Sequence, residues 1–187
     1  MRGFGMTLLG LSLLAAATWW LQERSTPERH SGDRAHVPDQ TAYGIQVTLL
    51  GQEGLPSRHL LATSLTHYPD DDSTELTAPV LTVFSQGHPP WVIHSETAWI
   101  GSEGDMMLLH GEVTMDREAG PALRPFHVRT REVRVETPND YAETDEFVFA
   151  HSTDDWVTGF GMQLWFGEPM RLKLLNQVRG RYDVKNP

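Results

Sequence analysis

No cysteine occurs in the 187 residues, so no disulfide staples the fold. A cysteine-free chain fits an oxidising envelope compartment. Cationic charge is scarce: 15 Lys and Arg stand against 25 Asp and Glu, a net charge of −10. That balance argues against a nucleic-acid partner, which needs clustered cations to neutralise phosphates. It also argues against an extended electrostatic hold on anionic lipid. Catalytic signatures are missing as well. The nine histidines show neither His-x-His nor His-Glu-x-x-His spacing. His94 and Glu96 sit at strand spacing, but a metal site needs a further ligand, so a surface pair is the reading. Asp70-Asp71-Asp72 lacks the oxygen and glycine spacing of a calcium loop and reads as a solvated turn. Neither a Gly-x-Ser-x-Gly elbow nor a phosphate-cradling Gly-rich loop is present. The chain is therefore read as a non-enzyme without a cofactor. Gly and Pro are at ordinary levels, so nothing is collagenous or low-complexity.

What is present begins with one apolar run. Phe4 to Leu21 is 18 residues without a charge, enough to cross a bilayer core. Arg2 and the amino terminus precede it and Glu23 and Arg24 follow, a charge bias that points to a cytoplasmic N-terminus, and Trp19-Trp20 close it at interface depth. Ala15-Ala16-Ala17 would also suit signal cleavage, but the run is read as a retained anchor. The expected organisation is thus a transmembrane anchor over 1–21, a polar tether over 22–42 and one domain over 43–187.

From Tyr43 onward the period is two, the mark of strands with one covered and one wet face. Val80, Thr82 and Phe84 alternate, as do Trp91, Ile93, Ser95, Thr97 and Trp99. Met107, Leu109, Gly111, Val113 and Met115 follow, and Trp156 to Phe166 is the cleanest stripe. Between Phe126 and Val135 the phase slips, which predicts a bulge or break near Arg131. Turn chemistry falls at 51–54, 69–73, 86–90, 101–105, 119–121 and 138–140. The last strand, around Leu172 to Val184, carries Arg171, Lys173, Arg179 and Arg181 on one parity, as an exposed edge does. Many short antiparallel strands imply an all-β sandwich, jelly roll or barrel-like sheet.

Four segments carry a resemblance: Pro79-Val80-Leu81-Thr82-Val83-Phe84 with Pro90-Trp91; Leu109-His110-Gly111-Glu112-Val113; Ala142-Glu143-Thr144-Asp145 with Val148; and Gly159-Phe160-Gly161-Met162. In their order behind an anchor they resemble the LptC family of the lipopolysaccharide export system. The resemblance implies an open antiparallel jelly roll, two sheets forming a V-shaped trough behind one transmembrane helix. It implies an inner-membrane protein with its domain in the periplasm. Such a domain takes lipopolysaccharide from an ATP-driven inner-membrane ABC transporter. It passes the lipid to a soluble periplasmic bridge protein of the same fold, joined sheet edge to sheet edge. Gly54 and Gly159 match the family's glycines, whereas Pro56 and His59 depart from its smoother strand.

On that reading the inward stripe carries acyl chains, and the candidate lining is Ile45, Val47, Leu49, Leu76, Val80, Phe84, Trp91, Ile93, Met107 and Leu109. The candidate partner edge is Leu172, Leu174, Val178 and Tyr182. Two other classes stay open: an anchored glycan-binding module that stacks sugars on exposed aromatics, and an assembly factor that binds the transporter but no lipid.

Overall fold

A computed structural model describes residues 36–182 apart from 86, 122 and 167–169. The expected anchor lies outside the described residues, as does most of the tether. Among the described residues no helix is long and apolar enough to cross a membrane.

Eleven strands follow one another: β1 (Gln40–Leu50), β2 (Pro56–Tyr68), β3 (Ser73–Thr77), β4 (Val80–Ser85), β5 (His88–His94), β6 (Thr97–Ile100), β7 (Met106–Arg117), β8 (Phe126–Glu136), β9 (Tyr141–Ser152), β10 (Asp155–Trp165) and β11 (Arg171–Arg181). A 3-10 turn, Thr137–Asn139, joins β8 to β9. Tight connections match the turn chemistry. Gly54, Asp72, Gly87, Gly104, Asp140 and Thr153 take positive φ at the hairpin tips. Two boundaries differ from the periodicity. β1 begins at Gln40, three residues inside the expected tether, and Pro89-Pro90 extend β5 instead of belonging to its turn.

All pairings are antiparallel and form one sheet. β2 pairs with β4 through Arg58–Val83 and with β3 through Ser64–Thr77, in one unbroken register. β5 and β6 likewise meet β4 and β3 in a shared register. β3–β4 and β5–β6 are therefore two long strands, each interrupted once. The topology reduces to an up-and-down meander, and the two sheets of the expected jelly roll are here two leaves of a single sheet.

A crease separates the leaves. Six residues away from the hairpin tips take positive φ: Gly44, Ala78, Gly111, Glu132, Gly161 and Gln177. They lie on one line across the sheet. Gly44 falls between the Tyr43–Ser64 and Ile45–Ala62 pairs, and Ala78 between Thr77–Ser64 and Val80–Leu61. Register shifts mark the same line at Leu109/Glu112, Arg129/Arg134 and Phe160/Met162. A bulge bends its strand and re-aims the side chains beyond it. Repeated strand after strand, it doubles the sheet over.

The centre of the crease is a hydrogen-bonded knot. The Gly111 N–H donates to Glu132 Oε1 (2.9 Å), His110 Nδ1 meets Glu132 Oε2 (2.8 Å), and the Glu112 N–H donates to Glu96 Oε1 (3.1 Å). The Gly111 amide, with His110 behind it, holds the Glu132 carboxyl below its ordinary range. Gly111 has φ +80°, and a Cβ there would fall 2.3 Å from the Glu96 carboxyl carbon.

Folding over buries one core from both leaves. It joins Leu76, Ala98, Leu109, Val133 and Met162 of one leaf to Leu81, Ile93, Met115, Val128 and Ala150 of the other. Each large aliphatic side chain so buried contributes about 1.5–3 kcal/mol before chain entropy is counted. Three contacts tie leaf to leaf: Trp91 against Phe166 (centroids 5.8 Å), Arg117 Nη1 donating to Met170 Sδ (3.6 Å), and Arg58. Arg58 Nη2 donates to the Thr137 carbonyl (2.7 Å) and to Asp140 Oδ1 (2.6 Å), across about 80 residues of chain.

The start of the domain is clasped by two histidines. His36 Nδ1 meets Asp70 Oδ2 (3.0 Å) and the ring stacks on Tyr68. His67 lies between Asp39 (2.7 Å) and Asp72 (3.0 Å). The Asp70 hydrogen bond raises the His36 pKa, and Asp39 followed by Asp72 raises that of His67.

Both imidazoles bind their protons more tightly folded than unfolded. Their stabilisation is therefore complete below the ordinary value of 6.5 and is lost as pH rises through the raised values. Amide protection at 36–42, corrected for intrinsic rates, should weaken between pH 6 and pH 8.5 while the β7 core is unchanged; equal protection at both pH values would remove the clasp. Gly111→Ala should destabilise the domain by about 2–4 kcal/mol in urea melts. Gly54→Ala, with positive φ but open space around it, should cost only about 1 kcal/mol. A Gly111→Ala protein as stable as the parent would show that the crease tolerates a side chain.

Candidate functional site

Pairing register decides which side chains share a face, because residues directly opposite point the same way. One inner row runs Val47, Leu60, Leu81, Ile93, Met115, Val128, Ala150. Its counterpart on the other leaf runs Leu65, Leu76, Ala98, Leu109, Val133. Both rows are apolar from end to end. Their exposure grades along the sheet. Met115 and Ala150 are fully buried, Leu60 is half-buried, and Val47 and Leu49 on β1 are 40 % and 50 % exposed. The centre is thus packed as a core, while the inner face opens at the β1 end.

Eight of the ten expected lining residues lie on this inner face: Ile45, Val47, Leu49, Leu76, Trp91, Ile93, Met107 and Leu109. Val80 and Phe84 do not. Val80 pairs with Leu61 and His94 in an outer row, so the inward residues of β4 are Leu81 and Val83. Phe84 lines a surface groove of about 410 Å³ with Leu55 and Pro56. The crease corrects two further stripes. Met162, Leu164 and Phe166 are buried, but Trp156 and Phe160 of the same parity are exposed beyond the Gly161 bulge. Trp91 and Ile93 point inward, yet past the break at 95–96 the buried residue is Ala98.

Among the described residues the sheet has two unpaired edges: β11 pairs only with β10, and β1 only with β2. Leu172 and Leu174 are half-buried on the inner face of β11, Val178 is 53 % exposed, and Tyr182 lies just past the strand. The segment Leu172 to Asn176 lies within strand β11. β1 carries no charge at all, whereas β11 carries Arg171, Lys173, Arg179 and Arg181 with no acid. Long edges are usually blunted by charge, so β1 is an edge built to be paired or covered. Gly54 turns the β1–β2 hairpin. Gly159 lets β11 approach, since a Cβ there would meet the Asn176 carbonyl at 3.1 Å.

Where the leaf ends meet solvent, a cavity of about 610 Å³ is lined by Ser85, His88, Pro89, Trp91, Arg117, Leu123, Phe166 and Met170. The Arg117 guanidinium stacks 5.1 Å above the Trp91 ring. Sequence reasoning passed over this residue, because a lone arginine ending a strand carries no spacing signal. Among the described residues, His36, Asp70 and Asp71 offer donor atoms close enough for a metal ion, but His36 is already engaged by Asp70.

The face assignment has a direct consequence. Ile93→Asp should destabilise by more than about 3 kcal/mol, through a buried unpaired charge, whereas Val80→Asp should stay within about 1 kcal/mol. Equal losses in urea melts would refute the register.

Comparison with curated proteins found no match. The family described as lipopolysaccharide-assembly, LptC-related, matches residues 7–183, nearly the whole chain. With that match the four short segments read above, now placed on the crease and its flanking strands, identify the chain as a member of the LptC-related lipopolysaccharide-assembly family, whose work is lipopolysaccharide transport.

Proposed function

We propose that this domain carries the acyl chains of lipopolysaccharide on its inner face, as an inner-membrane-anchored, non-catalytic link in the export path. It takes the lipid from the ATP-driven transporter and passes it to a soluble bridge protein of the same fold. The observation that carries this reading is the apolar inner row that is buried at its centre and surfaces at β1. Leaving acyl chains in water costs about 0.8 kcal/mol per methylene. An apolar face offsets that cost, while an open side keeps the sugars wet. Free edges on β1 and β11 support the relay, because edge pairing continues one inner face into the next through backbone hydrogen bonds. The basic β11 is the edge for the bridge protein. Since the centre is packed, loading along its length requires the leaves to part at the Arg58–Asp140 link.

A glycan-binding reading has one observation behind it. Phe147 and Phe160 form an exposed edge-to-face pair on the outer face (5.4 Å), with exposed Trp156 on the same strand as Phe160. Retention of soluble glycan without lipid would favour it.

Photo-crosslinking residues placed singly at Ile45, Val47 and Leu49 in living cells should give lipopolysaccharide adducts, whereas Leu61, Val80 and Phe84 on the outer face should give none. Adducts at both sets alike, or at neither in a folded membrane-bound protein, would exclude an inner-face carrier.

A further inference from the structure

Arg58, Arg117 and Arg124 differ in one respect. Arg58 is paired with Asp140 (2.6 Å) and Arg124 with Asp155 (2.8 Å). Arg117 makes no ion pair among the described residues. Its Nε is buried without a hydrogen-bond partner, and Nη1 reaches only the Met170 thioether, a weak acceptor. A guanidinium that merely capped Trp91 would keep its remaining donors in water or on a carbonyl. Here the fork stands beside the 610 Å³ cavity, where no carboxylate lines the wall among the described residues, in a chain of net charge −10. Ser85 and His88 are the other polar groups of the described lining, and Pro89, Trp91, Leu123, Phe166 and Met170 make its apolar walls.

We propose that Arg117 is the anion anchor of this domain, binding a phosphate on the headgroup of the lipid whose chains lie against the inner face. The proposal rests on the carrier reading above and adds to it a named residue and a ligand chemistry. Arginine suits the task because its planar donor fork matches tetrahedral oxyanions, and a partly dry site strengthens the contact. Trp91 fixes the fork from below, and Trp91 is itself held edge-on by Phe126 (6.1 Å) and Phe166 (5.8 Å). The anchor therefore stands where the apolar face ends. A lipid seated by its phosphate there directs its chains inward and its sugars outward, which gives the carried molecule a polarity.

The test measures equilibrium binding of the full chain in detergent to a phosphorylated acyl-disaccharide lipid and to the same lipid dephosphorylated. The parent should prefer the phosphorylated form by about tenfold or more, the scale of one charge-assisted hydrogen bond. Arg117→Met should cut the preference below about threefold, and Arg117→Lys should keep most of it. Equal binding of the two lipids by the parent overturns the anchor and leaves the carrier reading intact. Undiminished preference in folded Arg117→Met does the same. Binding of neither lipid overturns the carrier reading itself. Should Arg117→Met fail to fold, the parent comparison still decides. Inorganic phosphate is a third arm: competition at millimolar concentration assigns the site to the free oxyanion, and lack of competition assigns it to phosphate in a lipid headgroup.

Discussion

Everything in this domain depends on a line of reversed backbone curvature crossing the sheet. An up-and-down meander of these strands, left flat, would expose one whole apolar face. Positive φ at Gly44, Ala78, Gly111, Glu132, Gly161 and Gln177 bends successive strands at corresponding points, so the apolar face closes on itself. Four of these are at glycine or at Glu132, whose carboxylate is held by the Gly111 amide. The crease is thus made of glycine freedom and an exposed hydrogen bond rather than of a hydrophobic contact. The core is its consequence.

A creased sheet differs from a sandwich of two independent sheets in how it can move. Its leaves share every strand along the crease, but at the far rims only a few contacts join them: Arg58 with the 137–140 turn, Trp91 with Phe166 and Arg117 with Met170. Opening at the rims leaves the strand pairing intact. That asymmetry suits the carrier role proposed above, in which a bulky amphiphile must enter and leave without unfolding the domain.

Much of the fold was legible from periodicity and turn chemistry. The strands, most hairpin turns and the irregularity at Arg131 follow from alternation and from its slip. The face assignment was harder. Val80-Leu81-Thr82-Val83-Phe84 is apolar on both parities, so alternation alone cannot say that Leu81 and Val83 point inward. Across Gly161 the stripe Trp156 to Phe166 keeps its parity in sequence but changes sides in space; the two glycines at 159 and 161 were the available sign. The Arg58–Asp140 link and the Arg117 cavity join residues distant in the chain, and nothing local announces either.

The meander has a kinetic corollary. Strand pairing joins sequence neighbours throughout, and the connections between strands are short. Contact order is therefore low for an all-β protein, and loop closure is inexpensive at every step. Hairpins can add one at a time to a growing sheet. The distant contacts, Arg58 with Asp140 foremost, form only when the crease shuts. With no cysteine to oxidise, assembly of the sheet requires no thiol chemistry, and its last event is the meeting of the rims.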